Sequence, residues 1–267
     1  MRIIAVSSTK RRITTLKHIE SVKNNKVKQW KKLHKKKERE QSGMFLIEGF
    51  HLIEEALKIE GLIEEIIVAE DRPIPSHWNL NNVELIYAVP NVLKELSETE
   101  TPQGIAAICR ISKSDETAIK PNQRLLFLDN VQDPGNVGTM IRTADAAGLD
   151  MVILGEGCAD LYSSKVIRST QGSLFHLPIL RGNLQEWIQK AKEQGIPVYG
   201  TSLQNAIPYD EVAPSESFAL ILGNEGKGMA VEHLKQTDQN LYIPIHGQSE
   251  SLNVAVAAGI LMYYLRG

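Results

Sequence analysis

The sequence holds only two cysteines, Cys109 and Cys158, among 267 residues. They make neither a disulfide framework nor a paired metal-ligand pattern, and their apolar neighbours mark both as core residues. The seven histidines are scattered without HxxxH or Cys/His spacing, so no metal is expected. Long apolar runs are also missing. The stretch from Leu252 to Leu265 contains Asn253 and Gly259 and is shorter than a bilayer span, so it reads as a buried helix. The N-terminus passes from Arg2 through a few apolar residues to Lys10, Arg11 and Arg12, without the hydrophobic core of a secretory signal. These absences point to a cytoplasmic protein with no membrane partner. What remains, 42% hydrophobic and 23% charged residues, is the balance of a globular chain long enough for one large core or two modest ones.

Charge is unevenly placed. The formal net charge is -2, yet residues 1–40 hold 14 Lys and Arg against three Glu, while the other 227 hold 16 against 29. A cluster of this kind attracts a polyanion through counterion release; the alternative is a solvated basic tail. Trp30 lies among Lys28, Lys31, Lys32, Lys35, Lys36 and Lys37, placed either to stack on a nucleobase or to anchor a helix.

Along the chain, 19–40 is helix-compatible and charged, 44–48 reads as a strand, and 51–58 as an amphipathic helix. Further strands are expected at 62–69, 83–88 and 104–111, with a short helix at 92–97. The polar stretch 112–123, which has no apolar period, is the candidate linker. This divides the chain into a basic extension (1–40), a small α/β domain (41–113) and a larger domain (122–267). In the last, apolar strands at 125–128, 151–154, 196–199, 218–222 and 241–245, with another near 176–180, alternate with helical stretches. That pattern defines an α/β fold with a mostly parallel sheet covered on both faces, whose ligands bind in loops at the carboxyl ends of strands.

Three such loops are unusual. The first runs from Asp129 through Asn136 and Arg142 to Gly148. Val137, Met140, Ile141, Ala144 and Ala147 share one helical face, leaving Arg142 free to face solvent or a cleft; Asn136 alone would pass for an ordinary helix N-cap. The second, Leu222-Gly223-Asn-Glu225-Gly226-Lys-Gly228, is a strand ending in a glycine-rich turn around one carboxylate. It is no Walker A loop, because Ile221 and Gly228 occupy positions that motif reserves for Gly and Ser or Thr. The third runs from Tyr242 through Ile243, Ile245, His246, Ser251 and Leu252 to Asn253 and an apolar helix. A dinucleotide loop beginning at Gly155-Glu-Gly157 fails at Asp160, which stands where a third Gly or Ala belongs.

Taken together, N-x-G-x-x-x-R-T-A-x-A-x-G, L-G-N-E-G-x-G and I-P-x-x-G-x-x-x-S-L-N-V-A-x-A, in that order, closely resemble the three signature motifs of the SpoU (TrmH-type) RNA ribose methyltransferases of the SPOUT class. Lys165 to Leu174 is also similar to the family. Residues 41–110, particularly Phe45-Leu-Ile-Glu-Gly, resemble the substrate-binding domain of ribosomal RNA members. The first 18 or so residues match nothing.

The resemblance implies a deep C-terminal trefoil knot, a homodimer, and S-adenosylmethionine held by Leu222, Gly223, Ile243, Ile245, Ser251 and Leu252. It implies catalytic roles for Arg142, Asn136, Glu225, Ser251 and Asn253; the basic cluster points to RNA contacts from Lys28, Lys31, Lys32 and Lys35, together with Arg168 of the family-like stretch. The reaction would move a methyl group to a ribose 2′-hydroxyl, in ribosomal RNA by analogy; transfer RNA, or a non-catalytic RNA-binding role in ribosome assembly, are the alternatives. A guanidinium is always protonated, so Arg142 is better suited to holding phosphate and stabilising an alkoxide than to taking a proton. His246 departs from the family pattern, which more often has Met there.

Overall fold

The computed structural model describes residues 17–111 and 118–267. Residues 1–16 and the first half of the expected linker, 112–117, lie outside the described residues.

The first domain contains β1 (Lys17–Ile19), α1 (Asn25–Lys32), α2 (Lys36–Ser42), β2 (Met44–Glu48), α3 (Phe50–Leu57), β3 (Ile63–Ala69), β4 (Glu84–Ala88), α4 (Pro90–Leu96) and β5 (Ile105–Arg110). Its five strands are ordered β1-β4-β3-β5-β2, with β5 antiparallel to both neighbours. Segment 19–40, expected as one helix of a basic extension, differs in two ways. It breaks into α1 and α2, where Arg39 turns back to donate from Nη1 to the Leu33 carbonyl at 2.6 Å. It also belongs to the domain itself: β1 pairs with β4, and Val27, Trp30 and Leu33 join the core over one face of the sheet. Trp30 anchors its helix, because its ring is buried and Nε1 donates to Glu65 at 2.6 Å.

The second domain contains β6 (Arg124–Leu128), α5 (Pro134–Ala146), β7 (Met151–Leu154), α6 (Ser164–Thr170), β8 (Ile179–Arg181), α7 (Leu184–Glu193), β9 (Val198–Thr201), β10 (Ile207–Pro208), β11 (Phe218–Leu222), α8 (Val231–Leu234), β12 (Gln239–Tyr242) and α9 (Val254–Arg266). Seven strands run in the order β10-β12-β9-β11-β6-β7-β8, and every pairing is parallel. One core lies beneath α5 and α9, the other beneath α7; burial on both faces explains the unbroken apolar strands. β12 stops at Tyr242, short of the expected Ile245, because Pro244 has no N–H for a ladder. Cys109 and Cys158 are buried and unpaired, and burial pushes both thiols up.

The domains are fastened together. Ile167 of α6 enters the first domain's core, Phe45 and Tyr162 pack with ring centroids 4.6 Å apart, and buried Arg39 pairs with Asp160 at 3.3 Å. A cleft of about 670 Å³ opens at this junction, lined by residues such as Lys36, Phe45, Arg110, Tyr162 and Arg181.

Candidate active site

The three loops singled out above leave the carboxyl ends of β6, β11 and β12 in one sheet, where β6 and β11 are adjacent and β9 lies between β11 and β12, and they meet. Glu225 is the centre of the meeting. Its Oε1 accepts from the Asp133 main chain and from Asn136 Nδ2, both at 3.1 Å, and its Oε2 accepts from the Gln132 main chain at 3.3 Å. Asn136 Oδ1 then accepts from Asn253 Nδ2 at 3.0 Å. Asn253 Oδ1 caps α9 by accepting from Ala255 and Val256. One hydrogen-bonded chain, Glu225 to Asn136 to Asn253, therefore ties all three loops together. Burial alone would raise the Glu225 carboxyl, but the bonds donated by Asn136, Asp133 and Gln132 outweigh it and hold it below the ordinary value.

Several residues in this scaffold escaped the reading of the sequence. The N-cap of α5 is Asp133, which accepts from the Asn136 main chain at 2.9 Å; Asp followed by Pro134 at the first helical position was the available signal. Its Oδ2 also takes Lys165 Nζ at 3.0 Å, and that bond, with the cap, lowers its pKa. Asn224 clips the glycine-rich turn to the first loop by donating to the Asn130 carbonyl at 2.9 Å. Asp129, buried at the end of β6, accepts from Ala230 at 2.7 Å and from His233 at 2.9 Å. Sequence spacing could not reveal these last contacts, since their partners are about a hundred residues away.

Arg142 is exposed, and among the described residues it has no hydrogen-bond or ion-pair partner. It shares the solvent-facing stripe of α5 with Asn136 and Thr139, about 9 Å along the axis from Asn136 at 1.5 Å per residue. Ser251 makes no hydrogen bond to that network among the described residues; its carbonyl accepts from Ser249 Oγ within the same loop. Leu222 and Gly223 are buried at the strand end, Ile243 is half-buried, and the Ile245 and Leu252 side chains are exposed. His246 is exposed.

Pro244 to Leu252 makes no backbone–backbone hydrogen bond among the described residues. Amides and carbonyls without a main-chain partner, beside exposed Ile245 and Leu252, suit a ligand that has a flat apolar body and a polar edge, as the adenosine end of S-adenosylmethionine does. No group of three His, Cys, Asp or Glu side chains among the described residues is arranged to hold a metal.

Lys28, Lys31, Lys32 and Lys35 all lie exposed around α1, Lys31 pairing with Glu95. Arg168 is apart from them, half-buried on α6 beside His34 at the domain junction.

A mostly parallel α/β domain with this strand-end site, preceded by a smaller domain, is the architecture of a SPOUT methyltransferase. Residues 123–263 match the SpoU rRNA Methylase family, and residues 24–107 match the MRM3-like substrate binding domain. The chain belongs to the SpoU rRNA methylase family and is an S-adenosylmethionine-dependent RNA methyltransferase. It is 54% identical over 252 residues, 94% of this chain and 100% of the relative, to the 23S rRNA (guanosine(2553)-2′-O)-methyltransferase RlmP of Bacillus subtilis. Among solved structures, the AdoMet-bound rRNA methyltransferase from Sinorhizobium meliloti superposes with a TM-score of 0.85 at 30% identity, covering 94% of this chain and 97% of that one. The SpoU methyltransferase AviRb from Streptomyces viridochromogenes, in complex with AdoMet, gives 0.80 at 28% identity, covering 91% and 97%.

Proposed function

We propose that the protein methylates the ribose 2′-hydroxyl of one guanosine in 23S ribosomal RNA, the nucleotide named for its Bacillus subtilis relative. The hydrogen-bonded chain from Glu225 through Asn136 to Asn253 carries the catalytic part of this reading. It brings three separate loops to one place and leaves the exposed Arg142 on the adjoining helix face.

S-adenosylmethionine, when bound, supplies an electrophilic methyl group. Leu222, Gly223, Ile243, Ile245, Ser251 and Leu252 would hold it, largely through main-chain groups. Arg142 stays protonated, pins an RNA phosphate and stabilises the oxyanion that develops on the ribose as its proton leaves to water or phosphate. Asn136, fixed from both sides, orients Arg142 or the ribose, while Glu225, Ser251 and Asn253 hold the loops. Removing such an electrostatic contact costs about 10² to 10³ in rate.

Lys28, Lys31, Lys32 and Lys35 give the first domain a basic face for RNA, and Arg168 extends it at the junction. Two copies pair through α9, supported by the exposed apolar stripe of Leu252, Val256, Ile260 and Tyr263. The C-terminal segment is threaded as a trefoil knot, and the protein works in the cytoplasm. No helix among the described residues is long and apolar enough to cross a membrane.

The test is mass-spectrometric mapping of ribose methylation in RNA from cells with and without the gene. One 23S guanosine should lose its methyl in the deletion and regain it with the wild-type copy, not with Arg142→Ala. An unchanged methylation map refutes the assignment.

A further inference from the structure

His176 stands in the seam between the two domains. Its Nδ1 lies 2.7 Å from Asp145 Oδ2 on α5, and its Nε2 lies 3.0 Å from Glu55 Oε2 on α3. An ionised carboxylate only accepts, and a neutral imidazole carries a single N–H. Both contacts are therefore satisfied together only by the imidazolium. The hydrogen bond to Glu55, then the one to Asp145, hold the His176 pKa above its ordinary value, against partial burial.

The other charged groups around this point come from α3 and α6. Lys58 donates to the same Glu55 oxygen at 2.6 Å, and with His176 holds that carboxyl below its ordinary value. Arg168, near the end of α6, makes no hydrogen bond to His176 among the described residues. His51 crosses the seam to the Gln171 carbonyl at 3.0 Å, a contact a neutral ring can make. Packing is close as well: a Cβ on Gly172 would lie 2.7 Å from Glu55 Cγ. Asp145 follows Arg142 by three residues, one turn of the same helix.

We propose that His176 is a positioning residue which, as a doubly hydrogen-bonded cation, clamps the RNA-holding domain onto the helix that carries Arg142. RNA gripped by one domain is thereby presented in register to the methyl-transfer site of the other. This rests on the reading that the lysine face of the first domain holds RNA.

The test uses the full-length protein with cysteines placed at exposed positions by Lys37→Cys and Gln189→Cys, one in each domain; the native thiols are buried. Fluorescence energy transfer between labels there reads domain closure without RNA. His176→Leu should open the pair at every pH, and the wild type should open as pH rises above neutral. His176→Arg, which keeps two donors and a fixed charge, should stay closed. Single-turnover methyl transfer should follow, with the wild type falling behind His176→Arg by about tenfold at high pH, the scale of one charge-assisted hydrogen bond. S-adenosylmethionine binding by calorimetry should be equal in all three. Ring 15N shifts should show both His176 nitrogens protonated at pH 7.

A neutral ring at pH 7, an unchanged distance in His176→Leu, or a distance that responds while the rate ratio stays level would each overturn the clamp. Charge reversal at Lys28 and Lys32 that leaves RNA affinity unchanged would instead overturn the RNA reading of the first domain, and the distance result would stand independently.

Discussion

Asn253 donates from Nδ2 to Asn136 Oδ1 at 3.0 Å while its own Oδ1 caps α9. One side chain thus starts the C-terminal helix and holds the helix bearing Arg142, and two substitutions separate these duties. Asn253→Asp keeps an acceptor for the cap and loses the donor. Its melting temperature should stay near that of the wild type while the methyl-transfer rate falls about ten- to hundredfold, as expected when a catalytic group shifts by about 1 Å. Asn253→Ala should show the same kinetic loss and also lose about 1 kcal/mol of stability. Equal activity of Asn253→Asp and wild type would remove Asn253 from the site.

Gly223 and Gly226 lie in one loop under opposite constraints. A Cβ at Gly223 would fall well inside contact distance of the Gly228 and Met229 backbone, whereas at Gly226 its nearest neighbour is Asn224 Oδ1 at 3.8 Å. Gly223→Ala should cost roughly 1–3 kcal/mol, the scale of overpacking, and abolish calorimetric binding of S-adenosylmethionine. Gly226→Ala should bind within a few-fold of the wild type.

Glu225 gives a sign to the acid response. Its depressed pKa means that its contribution to stability is complete above the unfolded value and is lost as pH falls through the folded one. The difference in urea midpoint between wild type and Glu225→Gln should be constant from pH 7 to 5 and shrink below about pH 4, near the ordinary glutamate value. A gap that stays constant into acid would show that the charge does not support the loops.

Arg39 is buried, with one nitrogen on the Leu33 carbonyl and another on Asp160 across the domain junction. Arg39→Ala leaves Asp160 facing a cleft without its partner. It should cost roughly 3 kcal/mol, as breaking a buried pair does, and increase protease cleavage between the domains. A shift in melting temperature without new cleavage would place the effect within the first domain alone.

The sequence by itself determined the alternation of elements, because buried strands and amphipathic helices write their periods directly into the chain. Leu125 to Leu128, Met151 to Leu154 and Phe218 to Leu222 were legible for that reason, and the spacing of Asn136, Arg142, Glu225 and Asn253 made the family resemblance visible. Tertiary structure alone decided what those residues touch. Glu225 meets Asn136 across 89 positions and Asn253 meets Asn136 across 117, distances over which no local pattern can act. The same holds for segment 19–40, whose charge suggested a separate extension although Val27, Trp30 and Leu33 bury an apolar face against the sheet. It holds too for His176, an unremarkable residue of a turn until α3 and α5 bring Glu55 and Asp145 to opposite sides of its ring. Hydrophobic period is a local property, whereas hydrogen-bond partnership depends on which strand ends the folded sheet sets side by side.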